Sequence, residues 1–377
     1  PDLPTLLEVA GQLQGDGDSP LARYGRDLQQ SPDQAFLLNT RFDANLETGN
    51  INVPELEARA LGAVISGNIT ASNMNTESPV FQGRLNASGP DLPLLMQVVG
   101  QLTQGRDSTL NEYGRELRNS SNKNFTINAP FDVNMATGNI DLSGVQASFL
   151  GFRLTGELQA SNFQNTNGTM VGELNLSGRN MAEILTAIEQ PGLAEVVQSL
   201  NLTAAVNGTK TSLNLTPFNL DLVLSGPRIP NSPVTLALDS NMVLDLEGET
   251  LTTESFSLAG LGLNLQGSVN ARNIMSDPIY NGQVSLPNIN LRRFMQQINQ
   301  QLPATVDNSV FQTFALTSAF SGSNNDLSLS NLDLTLDDSR FNGELALTDF
   351  DNLAVDFDLS INSINLDRYL APDNGAS

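Results

Sequence analysis

The chain has 377 residues, in which 18 Lys and Arg stand against 41 Asp and Glu, for a formal net charge of −23 at pH 7. This balance argues against nucleic acid and against electrostatic docking on anionic membranes, since both require a basic surface. The absence of Cys and His removes disulfides, thiolate metal sites and the commonest general base. The sequence also lacks a P-loop, a GxSxG motif and a dinucleotide-binding glycine motif between a strand and a helix. We therefore expect no enzyme activity, no cofactor and no metal site.

The first 178 residues contain the same sequence pattern twice. Residues 1–89 align with residues 90–178 at a constant offset of 89 and without a gap. PDLPTLLEVAGQL corresponds to PDLPLLMQVVGQL, and LETGNI corresponds to MATGNI. Repetition at a fixed period predicts one supersecondary unit laid beside itself. We expect a single elongated repeat domain over residues 1–377, with units at about 1–89, 90–178, 179–290 and 291–377.

In the first unit a helical pattern precedes a strand pattern. The helical stripe after the expected N-cap Asp2 comprises Leu3, Leu6, Leu7, Ala10 and Leu13. The alternating strand face comprises Phe36, Leu38, Phe42, Ala44 and Leu46. Gly49, in Thr48-Gly49-Asn50, supplies the positive φ that a tight hairpin tip needs.

The second unit repeats these elements. Its helical stripe, after the expected N-cap Asp91, comprises Leu92, Leu95, Met96, Val99 and Leu102. Its strand face comprises Phe125, Ile127, Ala129, Phe131, Val133 and Met135. Both units also contain a Tyr-Gly-Arg triplet, Tyr24-Gly25-Arg26 and Tyr113-Gly114-Arg115. We interpret the triplet as a structural turn whose Arg hydrogen-bonds neighbouring carbonyl groups.

The second half repeats the pattern more loosely, since LGLNLQGSVNARN at 261–273 resembles LGFRLTGELQASN at 150–162. Helical stripes follow the expected N-caps Asn180 and Asn290, and they comprise Met181, Ile184, Leu185 and Ile188, then Leu291, Phe294, Met295, Ile298 and Leu302. The alternating faces comprise Phe218, Leu220, Leu222 and Leu224; Met242, Leu244 and Leu246, before a tip at Gly248; Leu332, Leu334 and Leu336; and Leu353, Val355, Phe357, Leu359 and Ile361. Residues 201–258 are additional strand material without a clear counterpart in the first half.

Each predicted strand has one apolar and one polar face, which is typical of an antiparallel sheet with one face in water. We expect a mainly β fold with short α-helices, in which a curved antiparallel sheet built from the repeats forms an elongated groove. The helices should cover part of the apolar face. The acidic pairs Asp337-Asp338 and Asp356/Asp358 suggest calcium ligands or glycosidase carboxylates. We interpret both pairs as a solvated strand face instead.

The repeats and the end of the chain resemble a known family. Each unit reads as a strand, xLxGxLxAxN, a strand, GxLxxSG and then a helix that starts with Asn or Asp followed by Leu. Together with the closing Asn365-Leu366-Asp367-Arg368-Tyr369-Leu370-Ala371-Pro372, this pattern is similar to the C-terminal region of AsmA-family proteins and covers nearly the whole chain. These proteins belong with the repeating β-groove, bridge-like lipid-transfer proteins.

The resemblance has specific implications. It implies a periplasmic protein of Gram-negative bacteria, anchored to the inner membrane through a segment outside these 377 residues. It implies transport of phospholipid towards the outer membrane, in support of outer-membrane biogenesis and envelope integrity. It also implies other envelope proteins as partners.

The residues lead independently to lipid as the ligand. A one-sided sheet leaves a large apolar face, which is rare without a ligand or partner. Phospholipid or other acyl chains would fill it, since each buried CH₂ contributes about 0.8 kcal/mol. The expected groove residues are Phe36, Leu38, Phe42, Leu46, Phe125, Ile127, Phe131, Val133, Leu220, Leu222, Leu244, Leu246, Leu334, Leu336, Phe357 and Leu359. The alternative is a closed β-solenoid or sandwich with a dry core and a scaffolding or adhesive role in the cell envelope.

Overall fold

The protein is mainly β, as expected, with antiparallel sheet and a few short helices. The structure is a computed structural model that describes residues 2–13, 25–26, 29, 35–103, 109–165, 167–188, 190–227, 229–350 and 354–372. The chain divides into two compact units, Pro1–Leu200 and Asn201–Ser377. Leu353 of the last predicted strand and Tyr24 of the first triplet lie outside the described residues.

The first compact unit is an antiparallel meander with helices between groups of four strands. The helices are α1 Leu3–Leu13, α2 Leu92–Thr103, α3 Thr109–Glu116, α4 Ala182–Ala187 and α5 Pro191–Ala194, with a 3₁₀ turn at Leu117–Asn119. The strands are β1 Phe36–Asn45, β2 Asn50–Ala60, β3 Ala63–Ser72, β4 Val80–Gly89, β5 Phe125–Asn134, β6 Asn139–Phe149, β7 Phe152–Ser161 and β8 Thr169–Arg179. From β1 to β8, each strand pairs antiparallel with the next one in the chain.

The second compact unit is also an antiparallel meander, but six strands precede its helix and four follow it. Strand β9, Val197–Thr209, crosses the boundary between the two units. The later strands are β10 Ser212–Leu224, β11 Val234–Asp245, β12 Thr250–Gly260, β13 Leu263–Arg272, β14 Ile279–Ile289, β15 Phe314–Gly322, β16 Asp326–Leu336, β17 Ser339–Thr348 and β18 Ala354–Ile361. Helix α6 spans Leu291–Gln297, and a 3₁₀ turn spans Leu366–Arg368. Residues 201–258 thus form ordinary strands of the sheet.

Three of the expected N-caps are confirmed. The carboxylates of Asp2 and Asp91 accept hydrogen bonds from the backbone N–H of the third residue after each, at 2.8 and 3.0 Å. The side chain of Asn290 caps α6 in the same way, at 2.9 Å. Each cap satisfies a backbone donor that the helix itself leaves without a partner.

The fourth expected N-cap is wrong. Asn180 has a left-handed backbone, with φ of 58°, and Met181 occupies the cap position of α4. Helix α6 is also shorter than its stripe predicts. It ends at Gln297, so Leu302 lies beyond it.

β-Bulges keep the apolar residues of a strand on one side of the sheet. In β2, Val53 faces Ile69 of β3 whereas Leu56 faces Gly67, so three steps on β2 match two steps on β3. The extra residue restores the alternation that the sequence interrupts. The same shift occurs at Leu142/Val145, Leu215/Phe218, Thr253/Phe256 and Leu329/Leu332.

The Tyr-Gly-Arg triplet marks a helix crossing, so the expectation of a turn is wrong. Gly114 lies within α3, where it packs against α2. A Cβ at this position would lie 2.6 Å from the carbonyl oxygen of Pro93. Gly25 makes the equivalent approach to Pro4, again at 2.6 Å. Glycine allows the two backbones to approach this closely because it has no Cβ.

Hairpin turns and helices meet along a row of strand ends, which we call the helical rim. Leu61, in the β2–β3 turn, is buried in a cluster with Leu3 of α1 and Val98 of α2. It adopts a left-handed φ of 55°, as do Leu150 and Leu261 in the equivalent turns, at 50° and 52°. This conformation costs a non-glycine residue about 1–2 kcal/mol. At Leu61, apolar packing between two helices offsets that cost.

Candidate functional site

The strand registers place the apolar residues of the first compact unit on one surface, which we call the apolar face. Directly opposed residues of antiparallel strands share a face. Phe131 on β5 faces Gly83 on β4, Gly83 faces Ile69 on β3, and Ile69 faces Val53 on β2. The same tracing reaches β1 and β8. The members on β1, β5 and β8 are Phe36, Leu38, Thr40, Phe42 and Ala44; Phe125, Ile127, Ala129, Phe131 and Val133; and Met170, Gly172, Leu174, Leu176 and Gly178.

The second compact unit has an equivalent apolar face from β10 to β18. Leu222 on β10 faces Leu236 on β11, and Phe320 on β15 faces Gly282 on β14. On the last three strands the members are Leu327, Leu329, Leu332, Leu334 and Leu336; Ser339, Phe341, Gly343, Leu345 and Leu347; and Val355, Phe357, Leu359 and Ile361. Within each unit, this surface runs across every strand whose register is defined.

No charged side chain lies at the paired positions of either apolar face in the described strands β1–β8 and β10–β18. The charges alternate onto the opposite surface, which we call the polar face. There Asp132 lies opposite Gln82, and Asp358 lies opposite Glu344. Each apolar face can therefore contact a hydrocarbon chain without desolvating an ion.

The few polar groups on the apolar faces make hydrogen bonds within the sheet. The hydroxyls of Ser240 and Thr253 lie 2.7 Å apart, on adjacent strands. Ser318 donates to the carbonyl oxygen of Ser330 at 2.9 Å. Tyr280 donates its hydroxyl to the carbonyl oxygen of Ser323 at 2.6 Å. Polar groups paired in this way add little cost to apolar contact.

Several aromatic rings lie against glycines of the neighbouring strand. A Cβ at Gly83 would lie 3.0 Å from Cζ of Phe131, and one at Gly282 would lie 2.9 Å from Cζ of Phe320. The glycines leave room for the rings to lie along the sheet instead of projecting from it. Phenylalanine at these positions therefore makes the apolar face flatter.

Among the described residues, the helices cover part of the apolar face of the first unit, beside the helical rim. There Phe36 packs against the cluster that contains Leu3 and Val98, and Phe125 is only 2% exposed. Strands make their main contacts with their chain neighbours, and the helices pack mainly against one another at the helical rim. Phe42 on β1 is 64% exposed and Phe357 on β18 is 70% exposed. Phe131 and Leu222, on inner strands, are half-buried by their neighbours within the sheet. A closed sandwich with a dry core, the alternative considered above, requires a second layer that these residues do not provide.

Fourteen of the sixteen expected groove residues lie on the apolar face, and two lie in turns. The residues on the face are Phe36, Leu38, Phe42, Phe125, Ile127, Phe131, Val133, Leu220, Leu222, Leu244, Leu334, Leu336, Phe357 and Leu359. Leu46 and Leu246 follow the ends of β1 and β11.

The two misplaced residues have a common physical cause. The side chain of Asn45 accepts hydrogen bonds from the N–H groups of Glu47 and Thr48, both at 3.0 Å, and this ends β1 before Leu46. Asp245 ends β11 before Leu246 in the same way, at 3.1 and 2.9 Å. Such Asx turns compete with continued pairing of the strand. In the β11–β12 turn, Glu249 has the left-handed backbone conformation, with φ of 48°. Gly248, which was expected at the tip of this turn, does not.

Sequence reasoning missed the apolar-face residues that follow the bulges. Leu56 and Val145 are examples. The signal is visible in the sequence, because the spacing of apolar residues changes once from two to three within each of these strands. A strand predicted from strict alternation alone therefore ends at the bulge.

The closing motif forms a polar cluster at the end of the second unit. Arg368 donates to Asp307 and to Asp338, both at 2.7 Å. Tyr369 donates its hydroxyl to Asp337 at 2.9 Å. The carboxylate of Asp337 also accepts hydrogen bonds from the backbone N–H groups of residues 311–313, at 2.6 to 3.1 Å. Asp337-Asp338 therefore belong to a turn that holds the C-terminal segment, so their interpretation as a strand face is wrong.

These contacts shift the pKa values of the cluster. Hydrogen bonds from the Ser309 side chain and backbone, and then from Arg368, lower the pKa of Asp307 to about 2. Partial burial opposes ionisation of Asp337, but hydrogen bonds from the Phe311 backbone and the Tyr369 hydroxyl leave its pKa below the usual value. Burial and the bond to Asp337 raise the pKa of Tyr369 to about 12. The groups are fixed in structural contacts, which favours a stabilising role over a catalytic one.

The polar face of the first unit carries a depression of about 490 Å³ across β4–β7. Its polar groups are amides and hydroxyls together with Arg153. The hydroxyls of Thr126 and Ser148 already bond to each other, at 2.7 Å. No group of three or more Asp or Glu side chains among the described residues is arranged to hold a metal ion.

No helix in the described part of the chain is both long and apolar enough to cross a membrane. Comparison with protein-family models, with curated proteins and with solved structures finds no match. The geometry of the apolar faces is therefore the main basis for assigning a function.

Proposed function

We propose that the apolar faces bind the acyl chains of phospholipids or similar lipids and that the protein supports lipid transport between membranes. The observation that carries this proposal is an apolar surface without a charged side chain that crosses every strand of known register in each unit. Among the described residues it is covered in part beside the helices and is exposed at positions such as Phe42 and Phe357. An acyl chain of about 16 carbons in contact with such a surface gains on the order of 10 kcal/mol before the cost of ordering it.

The chemistry of the surface favours sliding over capture. Its contacts come from Leu, Ile, Val, Phe and Ala side chains, which attract hydrocarbon without direction. Neighbouring positions therefore offer a tail similar free energies. A bound lipid can shift from one strand to the next while its head group stays in water beside the hairpin turns.

The cellular setting is part of the same proposal. The repeat pattern and the closing Asp367-Arg368-Tyr369-Leu370 resemble those of AsmA-family proteins. On this basis we place the protein in the periplasm of a Gram-negative bacterium, anchored to the inner membrane in its full-length form. Its role there would be to support phospholipid transport towards the outer membrane, and so outer-membrane biogenesis, together with other envelope proteins.

A charge on the apolar face tests the proposal. Phe131→Asp places a carboxylate on β5 in the path of a tail, and desolvating it opposes transfer. Asn128→Asp is the matched control, because it adds the same charge to the same strand on the polar face. We expect native mass spectrometry to find co-purified lipid with the wild type and with Asn128→Asp, and much less with Phe131→Asp. Transfer of a fluorescent phospholipid between donor and acceptor vesicles should fall in the same order.

The result that would overturn the proposal is equally defined. If folded Phe131→Asp protein, checked by circular dichroism, carries and transfers lipid as well as Asn128→Asp does, tails do not follow this surface. If neither the wild type nor the control carries or transfers lipid, the protein does not bind lipid in this way.

A further inference from the structure

The helices of the first unit leave one end of its strands open. α1 precedes β1, α2 and α3 connect β4 to β5, and α4 and α5 follow β8, so every described helix of this unit lies at the helical rim. Beside the helices the apolar face is buried, since Phe125 at the start of β5 is 2% exposed and Phe152 at the start of β7 is 7% exposed. At the opposite end of β5 the described residues form a short turn, and Val133 is half-buried. An acyl chain can therefore reach the apolar face from that end of the strands.

The open end of the strands is acidic, and we call it the acidic rim. In the first unit it consists of the β1–β2, β3–β4, β5–β6 and β7–β8 turns, together with three strand residues on either side of each turn. Its described residues carry five acidic side chains and no basic one, namely Asp43, Glu47, Glu77, Asp132 and Asp141. None of the five forms an ion pair with a described residue. Their charges are therefore uncompensated at this end.

The helical rim of the same unit has no such excess. Over its helices, their connections and three residues of each adjoining strand, the described acidic and basic side chains are equal in number, and the basic ones include Arg59 and Arg153. The second unit repeats the asymmetry. At its β9–β10, β11–β12, β13–β14, β15–β16 and β17–β18 turns and their flanking residues, the described part of the chain carries seven acidic side chains and two basic ones.

We propose that lipid head groups lie at the acidic rim and that its carboxylates favour lipids with an ammonium group and no net charge, such as phosphatidylethanolamine, over anionic lipids, such as phosphatidylglycerol. This inference rests on the proposed function, because the apolar face is the binding site and the rim sets which head groups are favoured beside it. Tails that enter from the open end leave their head group at the rim. A primary ammonium group can donate hydrogen bonds to carboxylates there. An anionic head group meets like charge instead.

The carboxylates lie close enough to act on a head group at the rim. Glu47 and Glu77 are exposed in the turns themselves. Asp132 and Asp141 point to the polar face, opposite each other on β5 and β6, and lie within about 10 Å of their turn along the strand. That distance is about one Debye length at 0.1 M salt and well within one at 0.01 M. The selectivity should therefore be strong in dilute buffer and be lost at about 1 M salt.

Competition between two phospholipids with identical acyl chains tests the inference. The protein is incubated with phosphatidylcholine vesicles that contain phosphatidylethanolamine and phosphatidylglycerol in equal amounts. It is then separated from the vesicles, and its bound lipids are quantified by mass spectrometry. Because both lipids come from the same vesicle, repulsion between protein and vesicle affects them equally. We expect the wild type to carry at least about five times more phosphatidylethanolamine than phosphatidylglycerol at about 0.02 M salt, and nearly equal amounts at about 1 M salt.

Charge reversal at the two rims locates the selectivity. The acidic-rim variant combines Glu47→Lys, Glu77→Lys and Asp132→Lys. The matched control combines Glu112→Lys, Glu116→Lys and Glu195→Lys, which are exposed residues at the helical rim. Both variants change the net charge by the same amount. We expect the ratio of phosphatidylethanolamine to phosphatidylglycerol at low salt to fall at least about threefold in the acidic-rim variant and to keep its wild-type value in the control.

The total amount of bound lipid and the ratio of the two lipids separate two kinds of failure. If the wild type carries neither lipid, the proposed function fails, and this inference fails with it. If the wild type carries both lipids in equal amounts at low salt, the apolar face binds lipid but the rim does not select it. The inference is also overturned if the two variants, checked for folding by circular dichroism, change the ratio alike. The salt dependence of the wild type provides a test that needs no substitution.

Discussion

At the scale of single residues, the molecule depends on small side chains at defined contacts. Gly83 and Gly282 leave room for phenylalanine rings to lie along the sheet. Gly114 allows α3 to cross α2 at a distance that no other residue permits. Glycine inside a helix normally costs about 1 kcal/mol relative to alanine, so its presence there indicates a packing requirement.

Substituting two helical glycines by alanine should have opposite effects. Gly114→Ala introduces a Cβ 2.6 Å from a backbone oxygen, and we expect the resulting separation of the helices to destabilise the protein by about 1–3 kcal/mol. Gly192→Ala, in α5, has no atom within 4 Å of the new Cβ and should be neutral or stabilising by up to about 1 kcal/mol. Urea unfolding followed by circular dichroism measures both. A Gly114→Ala protein at least as stable as Gly192→Ala would contradict the close crossing.

At the scale of elements, the turns along the helical rim use different side chains at equivalent places. Leu61 places an apolar side chain between two helices. Asp337, in the β16–β17 turn, has a similar left-handed φ of 51° and uses its carboxylate to bind backbone N–H groups of the segment at 311–313. In both turns, contacts to the side chain offset an unfavourable backbone conformation. Because Tyr369 also donates to Asp337, the same turn holds the closing segment of the described chain.

The cluster around Arg368 and Tyr369 should loosen at both extremes of pH. Asp307 has a lowered pKa of about 2, so its contribution to stability is complete above its unfolded value near 4 and is lost as the pH falls from about 4 to about 2. Tyr369 has a raised pKa of about 12, so its contribution is complete below about 10 and is lost as the pH rises from about 10 to about 12.

Tyrosine absorbance measures the alkaline limb directly, because the chain has four Tyr and no Trp. The difference between the wild type and Tyr369→Phe should give one group that titrates near pH 12. A difference titration centred near pH 10 would show that Tyr369 does not donate to Asp337. On the acid limb, the near-ultraviolet signal assigned to Tyr369 should persist down to about pH 4 and then decline.

At the scale of the whole molecule, the periodicity of apolar residues in the sequence predicts the fold well. It does not predict where strands end or where a bulge shifts the alternation by one residue. Alternation over Phe125–Met135 and the repeat offset predict strands, faces and helix positions because burial of one face requires that pattern. The strand ends before Leu46 and Leu246 depend on side-chain caps that compete with pairing, and Leu56 lies after a bulge that shifts the alternation by one residue. Helix crossings such as that at Gly114 require atomic distances, which no pattern in one chain provides.

Photo-cross-linking of lipid to the apolar face tests the central claim most directly. Benzoylphenylalanine replaces Phe131 in one protein and Asn128 in another, on opposite faces of the same strand. Both proteins are irradiated with phospholipid vesicles and examined by intact-mass spectrometry. We predict a covalent phospholipid adduct at position 131 and none at position 128. Equal labelling of the two positions, or no adduct at position 131 in a folded protein, would contradict the account.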